Sequence, residues 1–185
     1  MSLRHALLVT LLSGAASGYE LSKRFDASTA SFWPARRQQI YAELKSLEAD
    51  GLVAATVVQQ AGRPDRRDCS ITAAGRQELA RWVSEPAAPN VVKDELLVKL
   101  AAAELVDVGL MIDLVSVWRG QRAERLAVFE QLEKGFLRGK DRETYLRTAR
   151  RVGPYLTLER GLEFERANIA WADNVVAVLL ARGRG

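Results

Sequence analysis

Two clusters of arginine and glutamine side chains have the composition of a nucleic-acid contact. The first is Arg36, Arg37, Gln38, Gln39 and Tyr41, and the second is Arg63, Arg66 and Arg67. Arginine can donate two hydrogen bonds to guanine, glutamine pairs similarly with adenine, and a cationic turn can contact phosphates or enter a minor groove. Either cluster alone is typical of a solvated helix start or a soluble turn. Their occurrence within one small domain favours nucleic-acid binding.

The remaining composition argues against catalytic and metal chemistry. The chain of 185 residues has one cysteine, Cys69, and one histidine, His5. A cysteine-rich zinc site or a disulfide framework is therefore excluded, and a catalytic triad would need His5, for which the pattern offers no partner. A glycine-rich phosphate loop is also missing from the sequence. We expect no enzyme activity, no cofactor and no metal.

The N-terminal segment admits two interpretations. The apolar run at residues 6–12 follows a basic start, which is typical of either a signal peptide or a first helix. The helix is favoured because Ser17 and Glu20 have the spacing of a reciprocal cap for a second helix. Composition, with 48% hydrophobic and 27% charged residues, is that of a soluble globular protein, and the net charge of +4 permits an anionic partner without requiring one. We expect a cytoplasmic chain with no membrane partner.

Helix and strand signals over residues 1–85 predict a winged helix-turn-helix. A third helix is predicted over residues 35–50, with apolar side chains at i, i+4 and i+7 facing inward and Gly51 ending it. Alternating residues then predict two strands around a turn at residues 61–66, followed by a helix over residues 73–84. The predicted fold class is mainly α with a small two-stranded β-wing.

The second half of the chain shows only helical periodicity. We expect a DNA-binding domain over residues 1–85, a proline-containing linker over 86–90, and a helical domain for dimerisation and effector binding over 91–185. Trp118 and Trp171 are candidates for the walls of an effector pocket, and the alternative is that both pack in a helical core. The last helix has a wide apolar face that a partner helix would cover. The predicted dimerisation residues are Leu158, Leu162, Ile169, Val175, Val176 and Leu179.

Motifs in both halves resemble the PadR family of bacterial transcriptional regulators. They are Gly18-Tyr19-Glu20-Leu21, Phe32-Trp33, Gln39-Ile40-Tyr41, Gly51-Leu52-Val53, Gly62-Arg63-Pro64-Asp65-Arg66, Thr72-Ala73-Ala74-Gly75-Arg76, residues 93–100, Leu158-Glu159-Arg160-Gly161-Leu162 and residues 165–171. The motifs occur in order and cover nearly the whole chain, which indicates the longer-tailed subfamily with a helical C-terminal dimerisation region.

The resemblance implies a homodimer that binds a palindromic DNA operator, usually as a repressor. It also implies that Gln39 and Tyr41, with the residues just before them, and Arg63 and Arg66 would face the DNA. Release by a small aromatic or hydrophobic ligand is a further hypothesis. The alternative is a winged-helix protein-interaction module without its own operator, which uniformly weak and salt-insensitive DNA binding would favour.

Two positions depart from the family pattern. Residues 36–38 read Arg-Arg-Gln where the family often has a small residue or Pro-Gly, so the base preference is expected to differ. Cys69 stands where the family has an aromatic residue in the wing. We interpret Cys69 as a small strand residue rather than a redox sensor, because a lone thiol on a half-buried strand is usually inert.

Overall fold

The N-terminal half folds as a helical unit with a small sheet. The computed structural model describes residues 3–28, 35–59, 65–87 and 93–183, and the chain divides into the units Met1–Asn90 and Val91–Gly185. The elements of the first unit are α1 (Leu3–Leu11), β1 (Ala16–Ser17), α2 (Gly18–Ser28), α3 (Arg37–Ala49), β2 (Val53–Val58), β3 (Arg66–Ile71) and α4 (Ala73–Val83). The predicted fold class, mainly α with a small β-wing, is confirmed.

Local capping and turn signals set the helix boundaries of this unit. The Ser17 hydroxyl accepts from the Glu20 N–H at 3.2 Å, and a Glu20 carboxylate oxygen accepts from the Ser17 N–H at 3.0 Å. This reciprocal cap, predicted from sequence, starts α2. Gly51 has a φ of +70°, which glycine adopts without steric cost, and ends α3 as predicted. The Thr72 hydroxyl caps α4 by accepting from the Gly75 N–H at 3.0 Å.

The sheet has three strands instead of the predicted two. It is antiparallel with the order β1-β3-β2, and Cys69 on the central strand lies opposite Ala16 on one side and Ala55 on the other. Sequence alternation missed β1 because two residues are too short to show a period of two. Cys69 is half-buried, and burial raises the pKa of its thiol, which disfavours the reactive thiolate.

The apolar residues of the N-terminal run belong to the core of this unit. Leu7, Leu8 and Leu11 of α1 are at most 2% exposed and pack with Phe25 and Ile40. Deleting α1 would remove three of the most deeply buried side chains of the unit, so the helix interpretation of this segment agrees with the fold.

His5 has a structural environment. Its ring stacks on Trp82 with centroids 4.6 Å apart, and Nε2 lies 3.0 Å from a carboxylate oxygen of Glu78. Hydrogen bonds from Arg81 and from His5 lower the pKa of Glu78 to about 2. These contacts join α1 to α4.

The C-terminal unit is built on two long helices. Its elements are α5 (Glu95–Leu100), a 3-10 turn (Ala103–Leu105), α6 (Val108–Leu137), α7 (Arg142–Thr148) and α8 (Gly153–Arg182). Ion pairs join Arg119 to Asp173 and Arg166 to Glu130, so α6 and α8 run in opposite directions. None of the helices in the described ranges is both long and apolar enough to cross a membrane.

Some of the predicted dimerisation residues are already buried between α6 and α8 of one protomer. Leu158 and Leu162 are buried against Phe129 within the protomer, so α6 already covers the face that they share. The helical stripe predicted an apolar face correctly but could not identify the helix that covers it. Val175 and Leu179 are only partly buried, in a second cluster around Met111, Val115 and Ala172. Val176 and Ile169 are also partly buried.

Candidate nucleic-acid interface

Helix α3 separates an apolar face from a polar, cationic one. Ile40, Leu44 and Leu47 are buried in the core, as their spacing predicted. The opposite face is exposed and comprises Arg37, Gln38, Tyr41, Ala42 and Lys45. Lys45 was not identified from the sequence, although its spacing of four from Tyr41 places it on the same face.

The charges on this face are unbalanced because the carboxylates of α3 pair elsewhere. Glu43 lies 3.7 Å from Arg4 of α1, and Glu48 pairs with Arg67 of β3. Within the described ranges, Arg36, Arg37 and Lys45 have no carboxylate at ion-pair distance. Cations in the first turn also oppose the helix dipole, so an external anion would stabilise this end of α3.

Gln39 has an intramolecular role in this structure. Its side-chain oxygen accepts from the backbone N–H of Arg36 at 2.9 Å, which caps the start of α3. This bond uses the carbonyl oxygen that a bidentate contact with adenine would also require. Arg36 and Gln38 extend from the same exposed start of the helix.

The start of α2 lies against α3 and adds aromatic and cationic groups. An ideal Cβ on Gly18 would lie 2.4 Å from the Tyr41 ring, so a larger residue there would displace this exposed ring. Tyr19 is 51% exposed, with Lys23 Nζ 4.8 Å from its ring centroid and the Arg37 guanidinium carbon 5.9 Å from it. A hydrogen bond from Lys23 lowers the pKa of the Tyr19 hydroxyl. Tyr19 and Lys23 therefore extend the polar surface of α3, and sequence reasoning did not assign them to it.

Two of the predicted wing arginines, Arg66 and Arg67, are paired within the unit. Arg66 donates to Asp68 at 2.8 Å and lies 3.6 Å from Glu20, the residue that caps α2. These carboxylates, Asp68 first, raise the pKa of Arg66. Arg67 pairs with Glu48 of α3. The two arginines thus tie β3 to the helix-turn-helix, with Arg67 exposed and Arg66 partly buried.

Parts of the predicted wing and linker fall outside the described residues. Arg63 is among them, together with residues 88–90 of the linker. The predicted contact between Arg63 and DNA therefore stays a prediction.

The two tryptophans of the predicted effector pocket lie together in the C-terminal unit. Trp118 and Trp171 meet edge to face with ring centroids 5.6 Å apart, and Arg122 lies over Trp118 at 4.6 Å. Both pack against the cluster that contains Met111 and Val115. The structure thus brings the predicted pair together and packs it in the helical core.

Two family models together cover most of the chain. The PadR-like transcriptional regulator family matches residues 7–81, and the C-terminal region of the virulence activator alpha family matches residues 92–179. A probable transcriptional regulator of Mycobacterium tuberculosis is 37% identical to this chain, and the alignment covers 97% of the chain and 98% of that protein. The negative transcriptional regulator PadR of Bacillus subtilis is 27% identical, with coverage of 96% and 97%.

Solved structures of regulators share the fold over the full length. Bacillus subtilis PadR in complex with operator DNA has a TM-score of 0.76 at 26% identity, with coverage of 96% of this chain and 98% of that one. The same regulator in complex with p-coumaric acid has a TM-score of 0.71 at 26% identity and the same coverage. The virulence activator AphA of Vibrio cholerae has a TM-score of 0.69 at 32% identity, with coverage of 98% and 99%. These relatives are transcriptional regulators and not enzymes, and the chain belongs to the PadR-like family of transcriptional regulators.

Proposed function

We propose that this protein is a homodimeric repressor that reads a palindromic DNA operator with α3 and is released by a small aromatic or hydrophobic ligand. The observation that carries the proposal is the cationic face of α3, on which Arg36, Arg37 and Lys45 lack carboxylate partners in the described part of the chain. The major groove admits an α-helix, and phosphates would offset the charge at its start. The printed name of the Bacillus subtilis relative, a negative regulator, supports repression.

A two-fold dimer would supply the sequence specificity that a single α3 lacks. Two recognition helices about 34 Å apart read both halves of a palindrome, whereas one helix contacts too few bases for useful specificity. Helix α6 has an exposed apolar stripe at positions i, i+4 and i+7. It consists of Leu110, Leu114 and Val117, which are 51%, 37% and 64% exposed. We propose that this α6 stripe, with the partly buried Ile169, Val175, Val176 and Leu179 of α8, forms the dimer surface.

Ligand release requires unequal affinity for two dimer geometries. A ligand that favours a half-site spacing unsuited to the operator would lower DNA affinity, and DNA would lower ligand affinity by the same factor. The p-coumaric acid complex of the Bacillus subtilis relative supports an aromatic effector. The Trp118–Trp171 pair is the proposed aromatic wall for such a ligand.

The experiment that tests the function is an anisotropy titration with DNA from upstream of this chain's own gene. It is run at two salt concentrations, with random duplex as competitor. Selective binding that weakens at higher salt is the expected result, because phosphate contacts release counterions. Binding equal to that of random DNA calls for selection from a random duplex library. A library that yields no preferred sequence would favour the protein-interaction module instead.

Arg66 is expected to contribute to affinity without sequence preference. Substituting Arg66→Ala should weaken binding to all duplexes alike and reduce the slope of log K against log salt by about one unit, since one phosphate contact is lost. Arg76→Ala removes an exposed charge from α4 and serves as the control. An unchanged slope for Arg66→Ala would show that Arg66 does not contact phosphate and pairs only with Asp68 and Glu20.

A further inference from the structure

A cavity of about 480 Å³ lies where the end of α6 meets α7 and the turn before α8. Phe136 and Tyr145 form its aromatic wall, and their rings meet edge to face with centroids 6.3 Å apart. The volume is within the usual range for small-molecule sites. Trp118 and Trp171 do not line this cavity, which is therefore separate from the proposed effector site at these two tryptophans.

The other notable feature of the lining is its charge. Arg138, Lys140, Arg150 and Arg151 line the cavity, and its lining includes no carboxylate. Lys140 donates to the Thr148 hydroxyl at 3.2 Å. In the ranges that the structure describes, Arg138 and Arg150 form no ion pair.

Several other arginines of the same unit pair with carboxylates. Arg119 pairs with Asp173, Arg142 with Glu159, and Arg166 with Glu130. Asp141, the acidic residue nearest in sequence to the cavity, is likewise engaged, since it accepts from Thr144 to cap α7. Arg138 and Arg150 of the lining thus differ from these paired arginines.

The dipoles of two helices offset only part of the positive charge of this lining. The C-terminal ends of α6 and α7, at Leu137 and Thr148, both border the cavity. Each helix end is equivalent to about −0.5 elementary charge, so two ends offset about one of the cations. Counting only Arg138, Lys140 and Arg150, roughly two positive charges remain, which is the electrostatic condition that a multiply charged anion would match.

We propose that this cavity binds a small organic phosphate. Arginine guanidinium groups donate paired hydrogen bonds to phosphate oxygens, and lysine adds a point charge. A phosphomonoester dianion offsets more of the excess charge than a monocarboxylate does. Tyr145 and Phe136 contact the organic part, for which a planar ring is the best fit to an aromatic wall.

Phenyl phosphate is the probe for this site, because it combines a ring with a phosphomonoester. The full-length protein is titrated without DNA, and binding is followed by calorimetry and by line broadening of the phosphorus NMR signal. Failure of the operator proposal therefore does not affect the result. We expect saturable binding of phenyl phosphate, weaker binding of inorganic phosphate, and weaker binding still of benzoate.

Two arginines three residues apart provide the matched comparison. Arg150→Gln should weaken phenyl phosphate binding about tenfold, the loss expected for one charge-assisted hydrogen-bonded contact. Arg147 lies on α7, is exposed, and does not line the cavity, so Arg147→Gln should change binding less than about twofold. Tyr145→Leu should weaken binding of phenyl phosphate but not of inorganic phosphate.

Several outcomes would overturn the proposal. One is no saturable binding of phenyl phosphate by the wild-type protein. Equal loss in Arg147→Gln and Arg150→Gln would show a diffuse positive field instead of a site. Benzoate binding as tightly as phenyl phosphate would refute the phosphate class, and inorganic phosphate binding as tightly would refute the role of the ring. Circular dichroism checks that each variant folds, and Lys140→Gln replaces Arg150→Gln if the latter does not.

Discussion

Arg37→Ala should weaken binding to the operator by about 1–3 kcal/mol and relax its sequence preference at one position in each half-site. Arg37 is exposed at the start of α3, has no carboxylate partner in the described part of the chain, and lies beside the exposed Tyr19 ring. Among the described residues, no carboxylate competes for its guanidinium group as Asp68 and Glu20 compete for that of Arg66. Its paired donors can therefore be directed at a base edge.

A conservative substitution of Arg37 distinguishes a contact with a base from an electrostatic contact with phosphate. Arg37→Lys keeps the positive charge but loses the planar pair of donors, so the salt dependence should stay while the sequence preference falls. The measurement is anisotropy with the operator and with variants of each half-site base pair. If Arg37→Lys retains full specificity, Arg37 contacts phosphate and another residue reads the base.

Gln39→Ala is the informative companion to these variants. Because its side-chain oxygen caps α3, we expect a loss of about 1 kcal/mol in the free energy of unfolding, in addition to any loss in operator affinity. Thermal unfolding measures the first effect and anisotropy the second. If folded Gln39→Ala binds the operator with unchanged affinity, Gln39 acts only as the helix cap.

Val117→Glu should convert the protein to a monomer and abolish tight operator binding. Val117 is 64% exposed in the protomer, so the substitution leaves the α6–α8 core intact. In a dimer that buries this stripe, an unpaired carboxylate would raise the dimer dissociation constant by about a hundredfold or more. Light scattering measures the mass, and anisotropy on whole and half operators measures the consequence for DNA binding.

Ser116→Glu is the matched control on the same helix. Ser116 is exposed but points about 100° around the helix from Val117, away from the apolar stripe. Ser116→Glu adds the same negative charge as Val117→Glu, one residue away. A dimer that survives Val117→Glu, or that is lost equally with Ser116→Glu, would mean that the stripe is not the dimer surface.

Local signals in the sequence were sufficient for the elements that position α3. The Ser17–Glu20 cap, the glycine at residue 51 and the apolar spacing of α3 each depend on residues a few positions apart, and the structure has all three. The same local spacing places Lys45, four residues after Tyr41, on the exposed face of α3.

Features that depend on distant residues could not be predicted in this way. Glu20 of α2 and Glu48 of α3 are carboxylate partners of Arg66 and Arg67, and nothing in the local pattern of the wing identifies them. The burial of Leu158 and Leu162 similarly depends on α6 folding back along α8. A single sequence shows which residues are apolar or charged, whereas tertiary contacts determine what they touch.

Ser17 has two hydrogen-bonding roles that link the wing to the helix-turn-helix. It is a residue of strand β1, opposite Asp68 of β3, and it is also the cap of α2. Separating β1 from β3 would disturb the residue that holds the first turn of α2. The amide hydrogens of β3 and of the first turn of α2 should therefore exchange with solvent through one shared opening reaction, with a common free energy.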